Sequence, residues 1–266
     1  MNGLDGQTVL VLGLGHSGLA MARWCAAHGA AVRWWDSRAE PPQAGALREA
    51  VPQAQRIDGA LDETALAGVQ RLLKSPGLAP HDPAIAPLLQ AARTRGVVVQ
   101  GELALFTEAL AALRAERGYA PQLLAVTGTN GKTTTTALAA KLVARTGRRV
   151  ASAGNIGPTL LDTLAAALEA DEPLPEVWVL ELSSFQLDGS EGFEPDAAAV
   201  LNLTQDHLDW HGDMAAYAAA KARIFGPHTV RVLNRDDPVV RELGTPLPAA
   251  RKPRGPKPVP PRIVSF

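Results

Sequence analysis

The sequence is short of cysteine: Cys25 is the only one in 266 residues. A lone thiol excludes an internal disulfide and fits a reducing compartment. Next to Ala26 and Ala27, it reads as a small apolar filler on a helix. An excess of charge of one sign is also lacking, with 27 acidic residues against 26 basic ones. That balance points away from nucleic acid and from anionic membranes as partners. No stretch approaches the ~20 apolar residues that a membrane helix requires. The start, Met1 to Leu12, has no basic leader, and Gly13, Gly15 and Gly18 interrupt the apolar run, so it reads as a strand rather than a signal peptide. No internal repeat is visible. These absences together predict a cytoplasmic protein.

What is present is enough apolar material for two domains: 46% of the residues are hydrophobic. Short apolar runs alternate with amphipathic stretches. Strands are expected at Thr8–Leu12, Ala31–Trp35, Leu72–Leu73 and Val97–Val99, with helices at Ser17–His28 and Ile85–Arg95 between them. After a helix at Glu102–Arg117 come strand Gln122–Val126, helix Thr133–Arg145, strands Val177–Leu180 and Ala198–Leu203, helix Met214–Phe225 and strand Thr229–Leu233. Both halves therefore predict α/β folds with parallel sheets: a Rossmann-like domain over 1–100 and a P-loop ATPase-like domain over 101–266. The stretch Thr245–Arg262 is rich in proline with interspersed Arg and Lys, which excludes a regular helix and predicts an extended or disordered segment. Ile263–Phe266 looks like the start of a strand.

Two glycine-rich turns carry the chemistry. Gly13-Leu14-Gly15-His16-Ser17-Gly18 follows a strand and opens a helix, and Asp36 ends the next strand. This is the dinucleotide-fold layout: glycines admit a diphosphate, the helix N-terminus offers it free N–H groups, and the acid can accept from a ribose. NAD and other diphosphates both remain open on this motif, as does a tight turn that binds nothing. The second turn, Thr127-Gly128-Thr129-Asn130-Gly131-Lys132-Thr133, follows the apolar strand ending at Val126. A strict P-loop has glycine where Val126 stands, but the rest agrees in order and context. Gly128 and Gly131 let successive N–H groups face phosphate oxygens, Lys132 reaches the β- and γ-phosphates, and the Thr133 hydroxyl can ligate Mg²⁺.

Three further positions lie past strand ends or on a small-residue helix. Glu181 ends a strand, where a carboxylate is placed to hold a metal, although it is equally a surface acid. His207 follows another strand, where an imidazole can ligate a cation or simply belong to a loop. Lys221 lies among Ala218, Ala219, Ala220 and Ala222. Shielding there lowers an amine's pKa, and the alternative is a stem that packs while the head stays in water.

Taken together, Thr127 to Thr134, Gly154-Asn155-Ile156-Gly157, Glu181-Leu182-Ser183-Ser184-Phe185-Gln186-Leu187 and Asn202 to Asp209 resemble the Mur ligases, which add amino acids to the peptidoglycan precursor. The run through Phe185 and Gln186 is most similar to the branch that adds D-glutamate. The resemblance covers nearly the whole chain. It implies that the first domain holds UDP-N-acetylmuramoyl-L-alanine rather than NAD. Gly15, His16 and Ser17 would lie at its diphosphate, Asp36, Ser37 and Arg38 at its uridine, Ser75, Pro76 and Gly77 in the same pocket, and Asn155 and Ser183 at the sugar-diphosphate. It implies ATP at Thr127 to Thr133, two Mg²⁺ ions held through Thr133, Glu181, His207 and Lys221, and a CO₂-derived carbamate on Lys221. Lys132, Lys221 and His207 would be the catalytic residues. Chemically, it implies a phosphoryl transfer that turns a carboxylate into an acyl phosphate, which an amine then attacks.

Family members are longer and end in a third domain that binds the incoming amino acid. The D-glutamate site is therefore expected to be missing here, and the chain alone, a monomer, is expected not to complete ligation at a useful rate. Labelled D-glutamate incorporated at family-like rates would refute this. Competing readings are a member adding another amino acid, an inactive nucleotide-binding fragment, and an NAD-dependent oxidoreductase built on Gly13 to Gly18. The last has no use for the phosphate loop or for Glu181 with His207.

Overall fold

The structure is a computed structural model that describes residues 3–245 and 260–266. Its elements in chain order are β1 (Thr8–Leu12), α1 (His16–Ala27), β2 (Ala31–Trp35), α2 (Ala44–Ala50), β3 (Gln55–Arg56), a 3₁₀ turn (Glu63–Leu66), β4 (Arg71–Lys74), α3 (Ala86–Thr94), β5 (Val98–Gln100) and α4 (Glu102–Arg117). They continue with β6 (Gln122–Thr127), α5 (Lys132–Arg145), β7 (Val150–Gly154), α6 (Leu160–Glu169), β8 (Val177–Glu181), α7 (Ser184–Asp188), β9 (Ala197–Val200), α8 (Leu208–His211), α9 (Met214–Ala222), β10 (Val230–Leu233), α10 (Pro238–Gly244) and β11 (Ile263–Ser265). Among the described residues no helix is long and apolar enough to cross a membrane.

The chain divides into two compact units. The first comprises Met1–Ala120, Pro158–Pro173 and Gly189–Glu191, so it includes α4 and α6, which pack against α1 and each other. That sheet is wholly parallel, in the order β3-β2-β1-β4-β5. β1 is central because Val9, Leu10, Val11 and Leu12 are apolar on both faces, and all four are fully buried. Leu10, Leu12 and Leu72 on the strands meet Leu66, Ile85, Leu88 and Leu89 in one core. Each fully buried leucine stabilises the fold by about 1.5–3 kcal/mol. The chain leaves β1 toward β2 and later returns to β4 on the other side, which opens a crevice at the carboxyl end of β1.

The second unit comprises Pro121–Gly157, Leu174–Asp188 and Gly192–Phe266. Its sheet is also parallel, in the order β11-β10-β9-β6-β8-β7. All five residues of β8 are buried. β6 sits between β9 and β8, so its carboxyl end is again a switch point. Ile263–Ser265 pairs in parallel with β10 and completes one edge. The proline-rich stretch, apart from Thr245 and residues 260–262, lies outside the described residues.

Candidate functional site

In the first unit the glycine turn is built by close approach. A Cβ at Gly18 would lie 2.0 Å from the Gly13 carbonyl oxygen, so only glycine lets α1 start this near the end of β1. The Ser75 hydroxyl donates to the same carbonyl at 2.6 Å and ties the loop after β4 to the turn. Gly13, Gly15, His16, Ser17, Asp36, Ser37, Arg38, Ser75, Pro76 and Gly77 line one cleft of about 360 Å³. The structure thus gathers nine sequence-predicted positions, from Gly15 to Gly77, around one crevice. Asn155 and Ser183, predicted for the same ligand, belong to the second unit.

Asp36 fastens this turn. Its Oδ2 accepts from the Leu14 N–H at 2.7 Å and from Arg38 Nη2 at 2.7 Å, and its Oδ1 accepts from the Arg38 N–H and Nε at 2.9 and 2.8 Å. Burial pushes the carboxyl up, but these hydrogen bonds together outweigh it and bring its pKa to about 2. A carboxylate offers roughly four acceptor sites, and all are filled by the chain itself. A ribose hydroxyl would have to displace Arg38, which weakens the oxidoreductase reading of Gly13 to Gly18.

In the second unit, α5 starts from Gly131 directly after the phosphate loop. Lys132 Nζ donates to the carbonyls of Gly128 and Thr129, both at 2.9 Å. Lys221 reaches the same place from α9, with Nζ 2.9 Å from the Gly128 carbonyl and 3.3 Å from the Thr127 hydroxyl. Two lysines thus share one carbonyl oxygen. Lys221 is only 2% exposed, and its Nζ lies 4.8 Å from the Tyr217 ring centroid. Burial, helped by the neighbouring Lys132 charge, lowers its pKa to about 7. The expectation of a shielded amine therefore holds over that of a solvated head.

Side chains from later loops pin the phosphate loop. The Asn130 N–H donates to Asn202 Oδ1 at 2.9 Å, and Asn202 Nδ2 returns a bond to the Asn130 carbonyl at 3.1 Å. The Thr129 hydroxyl meets the Tyr217 hydroxyl at 3.0 Å and the backbone of Thr204, and the Thr127 hydroxyl donates to the Leu182 carbonyl at 2.7 Å. Tyr217 and Asn202 were not among the predicted site residues. Tyr217 lies one helical turn before Lys221, and that spacing is the signal that places both on one face.

Glu181 ends β8, buried at 4% exposure. Its Oε1 accepts from Asn155 Nδ2 at 3.1 Å, and it has no ion pair among the described residues. A Cβ at Gly154 would lie 2.1 Å from the Glu181 carbonyl oxygen, so glycine is required where β7 ends against it. His207 carries φ of +52°, the only positive φ outside glycine among the described residues. Its ring lies 4.6 Å from the Phe185 ring, and His211 Nε2 lies 2.9 Å from the Ser184 hydroxyl. Such backbone strain persists where surroundings over-determine it, often at functional sites. Ser183 bonds within its own loop, to Gln186.

Among the described residues no three His, Cys, Asp or Glu side chains cluster as a ready-made metal site. The donors fit a divalent cation in another way. Glu181 is a buried carboxylate with no cationic partner among the described residues, Thr133 stands exposed at the first turn of α5, and Lys221 is a buried amine with its pKa lowered to about 7.

A parallel sheet with a glycine turn at its switch point, and a second, Rossmann-like unit with a glycine turn of its own, define a two-unit α/β protein of the kind that presents helix N-termini to phosphates. Residues 126–250 match the model for the Mur ligase middle domain, and residues 7–101 match the model for the Mur ligase MurD-like, N-terminal domain. The chain belongs to the Mur ligase family. It is 60% identical over 245 residues to the UDP-N-acetylmuramoylalanine--D-glutamate ligase of Albidiferax ferrireducens, covering 91% of this chain and 48% of that one. It is 57% identical over 247 residues to the ligase of the same name from Burkholderia mallei, covering 92% and 49%. The chain therefore spans about half the length of the curated relatives it matches. The solved UDP-N-acetylmuramate:L-alanyl-gamma-D-glutamyl-meso-diaminopimelate ligase (MPL) from Neisseria meningitides aligns with a TM-score of 0.54 at 16% identity, over 89% of this chain and 74% of that one, and shares the fold.

Proposed function

We propose that this chain carries the UDP-sugar and ATP sites of a cytoplasmic, ATP-dependent amide ligase that adds D-glutamate to UDP-N-acetylmuramoyl-L-alanine. The observation that carries the reading is the pair of lysines, Lys132 and Lys221, converging on the Gly128 carbonyl at the mouth of the phosphate loop. The identity to the two D-glutamate ligases supports the choice of substrate. The same reading gives the UDP-sugar to the domain expected over 1–100 and ATP to the one expected over 101–266, except that residues 101–120, 158–173 and 189–191 fall in the first compact unit.

A carboxylate is a poor electrophile because it is anionic and lacks a leaving group. Transfer of the ATP γ-phosphoryl to it gives an acyl phosphate. The amine of the incoming amino acid then attacks the acyl carbon, and phosphate leaves. Lys132 exchanges its two backbone carbonyl partners for phosphate oxygens and stabilises the charge that gathers during transfer. The loop N–H groups and the N-terminus of α5 act on the same charge. Thr133, Glu181, His207 and a carbamylated Lys221 would hold Mg²⁺, which when bound adds positive charge beside the phosphoryl oxygens. With a pKa of about 7, Lys221 has a sizeable neutral fraction near neutral pH. The neutral amine forms an N–C bond to CO₂ and gives a proton to solvent, which leaves a carbamate anion.

The test is equilibrium binding of a non-hydrolysable ATP analogue with Mg²⁺. The native chain is expected to bind it, and Lys132→Ala is expected to weaken binding by about 10–100-fold, the scale of a charge-assisted contact. Equal affinities in the two proteins would contradict the assignment of the loop.

A further inference from the structure

Glu102 has no part in the mechanism above, yet it is an unusual group. It is the first residue of α4 and is 3% exposed. Its Oε1 accepts the Leu161 N–H at 3.0 Å, at the start of α6, while Oε2 is buried with no hydrogen-bond partner. The Ser17 hydroxyl and the Leu160 N–H also face this carboxyl and favour its charged form. Burial outweighs them and, with Asp162 adding to it, raises the pKa. A buried acid of this kind holds its proton more tightly than an exposed one, and in its protonated form it has an O–H to give.

Ser17 stands between this acid and the cleft of the first unit, which it lines. We propose that Glu102 is a positioning residue acting through Ser17, so that the protonated carboxyl donates to the Ser17 oxygen and frees the Ser17 O–H to donate to a diphosphate oxygen in the cleft. This rests on the UDP-sugar reading of that cleft. The ionised carboxylate does the reverse: it takes the Ser17 O–H for itself and adds a like charge behind the anion. Binding the diphosphate is therefore coupled to proton uptake at Glu102. The one bond formed is the carboxyl O–H, with its proton taken from solvent. The charged groups around this acid are Asp162 on α6 and Arg23 of α1, which pairs with Asp162 at 3.8 Å. Asp36 and Arg38 neutralise one another across the same cleft.

A purely structural role, capping α6, predicts no such coupling. The experiment is calorimetric titration of UDP-N-acetylmuramoyl-L-alanine into the chain, in buffers of different ionisation heat, between about pH 6 and pH 8.5. The native chain is expected to take up part of a proton on binding and to lose affinity with rising pH, by up to about tenfold per unit. In Glu102→Gln the amide NH₂ replaces the acid O–H permanently. Its uptake is expected to fall and its affinity to become flatter with pH, with tight binding kept. Ser17→Ala cuts the relay from the other side and is expected to lose the same uptake, which decides the matter if Glu102→Gln folds poorly. Uptake and pH slope unchanged in both variants would overturn the proposal and assign the proton to another group. Absence of binding by a folded native chain would instead overturn the UDP-sugar reading, and this inference with it.

Discussion

The two units present the same device, a glycine turn between the central strand of a parallel sheet and a helix, with opposite charge behind it. In the first unit the groups behind the turn are acids, Asp36 and Glu102, and the helix that follows is deeply packed, with Gly18 through Ala22, Trp24 and Cys25 buried. In the second unit they are two lysines, and the following helix α5 buries only Thr136. Similar backbone geometry therefore need not mean similar ligands. The first turn relies on backbone N–H groups and a network of hydrogen bonds. The second gathers two amines at one carbonyl, which suits the phosphoryl transfer proposed for it.

The strongest way to break this contrast is to remove the buried amine. Lys221 has its pKa lowered from 10.5 to about 7. Between those values the unfolded chain holds a proton that the folded chain lacks, so stability rises with pH across that window and levels off on either side. Lys221→Met is expected to abolish this slope and to stabilise the second unit near neutral pH by a few kcal/mol, because it removes the penalty of burying charge. Urea melts of both proteins at several pH values check it, and parallel pH profiles would contradict it. A smaller effect is expected at Gly154, where a Cβ would meet the Glu181 carbonyl at 2.1 Å with φ at +132°. Gly154→Ala should destabilise by about 1–3 kcal/mol. Hydrogen exchange should localise the loss to β7 and β8 and spare the first unit. The smallest effect sharpens the contrast between the helices. Leu138 on α5 is 56% exposed, so Leu138→Gln should change stability by less than about 0.5 kcal/mol. Met21 on α1 is fully buried, and Met21→Ala should cost about 2–5 kcal/mol by the same melts.

The sequence was legible where its signal is local. Thr8–Leu12, Ala31–Trp35 and Glu102–Arg117 are found with the expected bounds, because a dense apolar run or a long amphipathic stretch leaves little choice of structure. β7 and α6 were not anticipated. β7 reads Val-Ala-Ser-Ala-Gly, with a single β-branched residue to mark it, and α6 spans only ten residues. The phosphate loop was legible for the same reason as β1, since its residues are contiguous. The approach of Lys221 to the loop spans 93 residues and has no local signature, so only the family resemblance pointed to it. The saturation of Asp36 by Leu14 and Arg38, and the burial of Glu102, depend on tertiary packing, and no periodicity announces them.

The division of ligands between the two turns is tested most directly by a crossed titration. UDP-N-acetylmuramoyl-L-alanine and a Mg²⁺–ATP analogue are each titrated into the native chain, into Lys132→Ala, and into Gly18→Ala, whose Cβ would strike the Gly13 carbonyl. The expected result is that Lys132→Ala loses the ATP analogue and keeps the UDP-sugar, while Gly18→Ala loses the UDP-sugar and keeps the ATP analogue. Loss of both ligands together in either folded variant, or binding of both unaltered, would contradict the account.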